Sequence, residues 1–348
     1  MQKVKAEISL TNIQSNANAF KRLCQTRVCA VVKADAYGHG AEKVAFALEG
    51  IVDCFAVAIL DEALKIRTAV CGKDILILTP PTEETEIYLS AKNGFIVSVG
   101  DYACAKLVCK VAQSKKILVR VHIKTNTGMN RYGMDVNALE RTCSLLKNTA
   151  RVSVEGLYSH LYGASKESSE KQRVRFEKMR ATCLKYFENI RCHLSATFGA
   201  LLGEKYRYDM VRIGIGLYGY LPTGTRQKIS LKRAMTVYAQ ITATGVYTGD
   251  GVGYGEKIQT PKKGTPIHVC RFGYADGFLR KRKNGLRGYE KHANNLCMDA
   301  CVRKGKAKKG SWVKILDNAE QTAQITGTIA YEVLCAASRR AEMVYTYE

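Results

Sequence analysis

The chain has 348 residues, 46% of them hydrophobic and 24% charged, with a net charge of +23 at pH 7. That length allows two domains with a substantial core, and those fractions exclude a disordered or fibrous chain. No run of about 18 apolar residues occurs and Met1–Lys5 leads into no apolar signal core, so no membrane span is expected and a cytoplasmic location is.

The thirteen cysteines are odd in number and scattered without a C-x-x-C pair. A secreted disulfide framework is thereby excluded, and Cys297/Cys301, Cys104/Cys109 and Cys24/Cys29 are spaced too loosely for a zinc site. No metal is expected; the thiols read as small buried hydrophobes in a reducing compartment. Positive charge concentrates in Arg280–Lys283 and Arg303–Lys309. No aromatic residues interleave with these runs, which favours a solvated basic surface over a nucleic-acid partner.

In chain order, Lys3 to Leu10 alternates and reads as a strand outside the repeat that follows. Strand-like runs then appear at Val28–Val32, Cys54–Ala58, Ile75–Leu78, Phe95–Val99, Ile117–Lys124, Val152–Tyr158, Arg191–Ser195 and Asp209–Ile213. Helical segments lie between them, among them Asp61–Thr68, Tyr102–Val111, Val136–Leu146 and Ser169–Phe187. Eight successive βα units predict an α/β fold whose N-terminal part, 1–230, is a (β/α)8 barrel. From Met235 on, alternating Thr, Val, Tyr and Ile with glycine turns replace helical periodicity, and Thr265–Arg271, Cys297–Arg303 and Trp312–Leu316 read as short strands. Residues 231–348 therefore read as a C-terminal, mostly-β domain, which the strand in residues 1–10 is expected to join.

The first barrel strand ends on Lys33, with a helix expected from about Ala41. A lysine at the carboxyl end of a strand sits where such folds place their chemistry, and a buried amine loses its proton readily. Snorkelling out of a core strand explains the same spacing equally well. Four other residues at strand ends would share that mouth: Arg131, His160, Thr197 and Arg212. Such a set would bind an anionic cofactor and an acid substrate. Arg212 leads into Ile213-Gly214-Ile215-Gly216, whose N–H groups could cradle a phosphate after the eighth strand.

The chain resembles the bacterial alanine racemases from about Val4 to its end. The resemblance rests on Val31–Gly40, Lys124–Gly133, Met210–Gly219, Gly253–Gly255, Gly273–Gly277, Cys297–Asp299 and Ala330–Cys335, in the family's order. It implies a barrel plus a β domain, assembled as a head-to-tail homodimer with shared active sites around pyridoxal 5'-phosphate. Lys33 would hold the cofactor and act as the base on one face of the substrate. Tyr254, from the partner subunit, would act on the opposite face, as racemisation requires. A phenol with its ordinary pKa of about 10 is a poor base at neutral pH, so nearby cations must favour its phenolate.

The resemblance also places Arg212 against the pyridine nitrogen with His160 orienting it, and Tyr37, Thr197, Gly214 and Ile215 around the phosphate. Ser195 rivals Thr197, and either could simply cap a helix. Arg131 would meet the cofactor's phenolic oxygen and the substrate carboxylate. Met298, from the partner, would close the carboxylate site through its N–H, with Asp299 and Tyr274 lining the entrance. Lys124 matches a lysine that is often carboxylated in the family, and a carbamate there would hold Arg131 where an amine would repel it.

Asp35 stands where many relatives carry asparagine, Thr197 replaces a serine, and Arg339 falls where some carry a tyrosine reaching the phosphate. These departures leave alanine-versus-serine preference open. The chain is similar to the racemase domain of the membrane-tethered alanine/serine racemases linked to glycopeptide resistance, as a soluble relative or an excised domain. The implied activity is interconversion of L- and D-alanine, with serine as the alternative, supplying D-amino acid for cell-wall precursors. A basic amino-acid decarboxylase of the same architecture fits less well, given Tyr254, Met298 and Asp299. A cofactor carrier would lack the β domain.

Overall fold

The computed structural model describes residues 3–163, 165–222, 225, 229–249, 251–252, 261–278 and 296–348. In chain order the strands are β1 (Val4–Ser9), β2 (Arg27–Val31), β3 (Cys54–Val57), β4 (Asp74–Ile77), β5 (Ile96–Val99), β6 (Val119–Lys124) and β7 (Val152–Tyr158). They continue with β8 (Arg191–His193), β9 (Met210–Ile213), β10 (Met235–Val246), β11 (Pro266–Cys270), β12 (Cys301–Lys304), β13 (Trp312–Leu316) and β14 (Glu342–Thr346). The chain divides into two compact units, Ile13–Ala36 with Ala41–Lys232, and Met1–Asn12 with Tyr37–Gly40 and Arg233–Glu348.

The larger unit holds eight parallel strands in the order β8-β7-β6-β5-β4-β3-β2-β9. Between β8 and β9 the gap is narrowed by a parallel bridge of Ala196 with Arg212, and Arg212 N donates to Ser195 O at 2.9 Å. The result is a nearly closed barrel. Helices cover its outside, so strands such as Cys54–Val57 and Ile96–Val99 are buried along their whole length. That is why they read as unbroken apolar runs. Side-chain caps start several covering helices: Asp101 accepts from Cys104 N at 2.7 Å and Asp135 from Ala138 N at 2.8 Å. Several strands are shorter than the sequence suggests: β6 begins at Val119 rather than Ile117, β8 stops at His193 rather than Ser195, and β12 begins at Cys301 rather than Cys297.

In the smaller unit β1 pairs antiparallel with β10 and parallel with β14, inside a six-stranded sheet ordered β12-β11-β10-β1-β14 with β13 also on β10. β1 and the first eight residues of β10 alternate buried and half-buried positions, the mark of a sheet with one covered face. The mostly-β reading from Met235 on holds, with two helices that the sequence did not signal added to it. Ala319–Thr326 and Ala330–Ala337 are helices of eight residues each, too short to impose a period on the sequence. Asn318 caps the first by accepting from Gln321 N at 3.2 Å. Ten of the thirteen cysteines are buried; Cys71 is exposed and Cys297 and Cys335 are half-buried.

Candidate active site

Lys33 follows β2 and opens a single helical turn, Lys33–Gly38, that is wound left-handed. Ala34, Asp35, Ala36 and Tyr37 all have φ between 51 and 56°, and Gly38 has φ 79°. Each non-glycine residue in that region costs about 1–2 kcal/mol, so neighbours must hold the turn. Glu62 does so by accepting the N–H groups of Ala34 and Ala58, both at 2.7 Å. Asp35 accepts from Ala41 N at 3.0 Å and pairs with Lys65 at 2.7 Å, so its contacts fasten the turn to the helices beside it.

Arg212, on β9, is buried. Its guanidinium donates to Ser159 O at 2.7 Å, His193 O at 3.1 Å and Leu194 O at 3.2 Å. No carboxylate is among these partners. The contact with His160 Nδ1 is long, 3.4 Å, whereas His193 Nδ1 lies at 2.7 Å. Arginine can only donate, so His193 carries its proton on Nε2 and donates to His122 Nδ1 at 2.9 Å. Burial, followed by nearby cations, keeps all three histidines neutral: His122 is pushed down to about 3, and His160 and His193 well below the usual range. Tyr158 stacks on His193 with ring centroids 4.8 Å apart, and its hydroxyl meets Ser98 Oγ at 2.6 Å.

Lys124 ends β6, buried, with Nζ 4.2 Å from the Tyr158 ring centroid. Burial, then the fields of Arg212, Arg131 and Lys33, push its amine down to about 7. The same four cations act together on His160. Lys33, Lys124, Arg131 and Arg212 thus converge on one mouth, and Arg131 is the most exposed of them. Thr197 opens the helix Thr197–Leu202, whose N-cap is Ala196, so neither hydroxyl candidate caps it. Ser195 donates to Tyr206 O at 2.6 Å, while Thr197 Oγ1 accepts from Gly216 N at 3.3 Å. Thr197 is therefore the hydroxyl tied to the Gly214–Ile215 turn.

Tyr37, Tyr274, Met298, Asp299 and Arg339 belong to the smaller unit. Tyr37 is buried beside Tyr331, ring centroids 6.0 Å apart, and burial pushes its phenol well up. Met298, Tyr274 and Arg339 are exposed. Tyr254 lies outside the described residues. Sequence reasoning missed Glu62, His122, His193 and Tyr158. The only signal for the histidines was a polar ring inside an apolar strand run. Among the described residues no group of three or more His, Cys, Asp or Glu could hold a metal, and no helix is long and apolar enough to cross a membrane.

The chain that carries this cationic mouth has clear relatives. The alanine racemase N-terminal domain family matches residues 8–222, and the C-terminal domain family matches 234–345. An alanine racemase of Clostridium kluyveri is 33% identical, over 97% of this chain and 93% of its own. Among solved structures, an alanine racemase of Clostridium difficile superposes with a TM-score of 0.91 at 31% identity, covering 99% of this chain and 96% of that one. One from Bartonella henselae, with covalently bound pyridoxal phosphate, gives 0.88 at 26%, covering 99% and 100%. Neither a serine-preferring racemase nor a decarboxylase is among these relatives. With both domain families present in order, and likeness running the length of the chain, the protein belongs to the alanine racemase family.

Proposed function

We propose that this isomerase interconverts L- and D-alanine with pyridoxal 5'-phosphate, Lys33 and Tyr254 moving the proton at the substrate's α-carbon from opposite faces. The observation that carries the reading is the mouth itself, where Lys33, Lys124, Arg131 and Arg212 converge before three neutral histidines. Cations crowded without a carboxylate among Arg212's partners suit a phosphorylated cofactor and an acid substrate. When bound, that cofactor supplies the electron sink that makes the α-proton acidic.

Lys33 would hold the cofactor through its amine and serve as one base; Tyr254 would serve as the other, from a second copy in a homodimer. Arg212 would face the ring nitrogen and leave it unprotonated, because a guanidinium keeps its own proton even where burial lowers its pKa. A restrained sink of that kind favours return of the proton over side reactions. Its carbonyl partners and neutral His193 fix its plane. Tyr37, Thr197, Gly214, Ile215 and Arg339 would bind phosphate, Arg131 and Met298 the substrate carboxylate, with Tyr274 and Asp299 at the entrance.

An amine with a pKa of about 7 is about half unprotonated at neutral pH, and the neutral form takes up carbon dioxide, so Lys124 would carry a carbamate that neutralises part of the mouth. A place in the cytosol, upstream of cell-wall precursor assembly, follows from this activity. The deciding experiment is a chiral assay with L-alanine and L-serine beside an absorbance scan. Alanine is expected to racemise faster. Lys33→Ala should lose more than about a thousandfold in activity together with the near-visible absorbance of bound cofactor. Persistence of that absorbance would overturn the anchor. Tyr254→Phe should slow one direction of α-proton exchange far more than the other.

A further inference from the structure

Two arginines of the smaller unit that have no part in the scheme above surround the loops it relies on. Asp276 is almost fully buried, with 1% exposure. One of its oxygens accepts from Gly273 N at 2.8 Å and from Arg271 Nη1 at 3.3 Å, and the other faces Arg340 Nε at 3.5 Å. Arg340 Nη1 in turn donates to Asp299 Oδ1 at 2.7 Å, while Arg271 Nη1 donates to the Asp299 carbonyl at 3.1 Å. The four residues alternate in sign and close a neutral ring.

This ring fastens three separate segments to one another. Tyr274 N donates to Cys297 O and Ala275 N to Met298 O, both at 3.0 Å, so the 273–277 turn lies directly on the 297–299 segment. A Cβ on Gly273 would run into the Met298 carbonyl, which is why the approach requires glycine. At the other end of the turn Gly277 has φ +99°, and a Cβ there would meet the Ala336 carbonyl of the helix that precedes Arg339. The carbonyl of Met298 is thus committed to the turn. Its N–H shares a peptide plane with the Cys297 carbonyl, which accepts from Tyr274 N, so the same turn sets the direction of that N–H.

We propose that Arg271 and Arg340 are positioning residues for substrate: by clamping Asp276 and Asp299 they fix the Met298 N–H and Tyr274 in the orientation that receives the substrate carboxylate. This rests on the racemase reading, and it adds the groups that hold the carboxylate site in shape. The ring predicts loss of substrate binding more than of chemistry, because none of its members touches the reacting carbon.

The test uses the holoenzyme with Arg340→Met, Arg340→Lys and Asp276→Asn. Arg340→Met should raise KM for both alanine enantiomers about tenfold while kcat stays within about threefold. Amide hydrogen exchange at Tyr274 and Ala275 should quicken by about tenfold or more, a change that activity alone would not reveal. Arg340→Lys, which keeps the charge but not the fork, should recover part of both effects. Should Arg340→Met fail to fold, Arg340→Lys carries the same two readouts with smaller shifts. A folded Arg340→Met with KM within twofold of wild type and unchanged exchange would overturn the proposal. A wild-type protein that racemises neither amino acid would sink the racemase reading instead, and the exchange rates would still decide whether the ring holds the loops.

Discussion

The two ends of the barrel treat charge in opposite ways. At the amino ends of the strands Arg120 makes a two-point contact with Glu155 (2.6 and 2.7 Å) and a third with Asp74 at 2.8 Å. Arg191 reaches Asp74 at 3.4 Å. Both of these arginines have an acid. At the carboxyl ends Arg212 is held by carbonyls and a histidine, and every charged group that moves Lys124 is another cation. Paired charge stabilises the fold. Crowded cations cost stability, and a protein retains them where an anion will bind.

Matched substitutions at the two ends should break that symmetry cleanly. Arg212→Met should cost more than about a hundredfold in racemase activity, with stability changed by less than about 2 kcal/mol because no carboxylate is orphaned. Arg120→Met should do the reverse: activity per folded molecule within about threefold, but stability lower by about 3 kcal/mol, since Glu155 loses its two-point contact and Asp74 keeps only the longer one to Arg191. Parallel denaturant melts and initial rates decide both. Comparable activity losses in the two variants would erase the distinction.

Titration sharpens the same contrast with smaller effects. Lys124 has a folded pKa of about 7, below its unfolded value near 10.5. The unfolded chain therefore binds the extra proton between those values, and the penalty is complete below pH 7, fades as pH rises and is gone above about 10.5. Lys124→Met in cofactor-free, carbonate-free protein should gain about 2 kcal/mol at pH 6 and nothing at pH 10.5. For Asp74 burial alone would raise the pKa, but Arg120 and Arg191 more than reverse it, leaving it below the usual value. Its contribution is present above the unfolded pKa of about 4 and is lost as pH falls through the folded one. Asp74→Asn should flatten acid unfolding by about 1 kcal/mol across that window.

How much of this the sequence carries depends on burial. Strands covered on both faces admit few polar residues, so Lys33 and Arg212 stand out against apolar neighbours and their positions along the strands place them together, whereas Lys124 came only with the family resemblance. Asp74 and Glu155 were invisible for the opposite reason: an acid beside a strand start looks like any surface acid until topology brings Arg120 to it. His193 and His122 are 71 residues apart and meet only because β6 and β8 flank β7. The helices at Ala319–Thr326 and Ala330–Ala337 span barely two turns each, below the length at which a period emerges from alternation around it. The motifs located the family; packing supplied the partners.

The left-handed turn after Lys33 makes that lysine the boundary between two opposite screw senses. Four L-residues in succession resist that winding, so the amine's aim is borrowed from Glu62 and Asp35 rather than inherent in its own segment. Were either acceptor withdrawn, the segment could relax toward the hand its chirality prefers, and the nitrogen would swing around the strand axis. A carboxylate on a neighbouring helix thus acts as a compass for that nitrogen through the backbone N–H groups it holds.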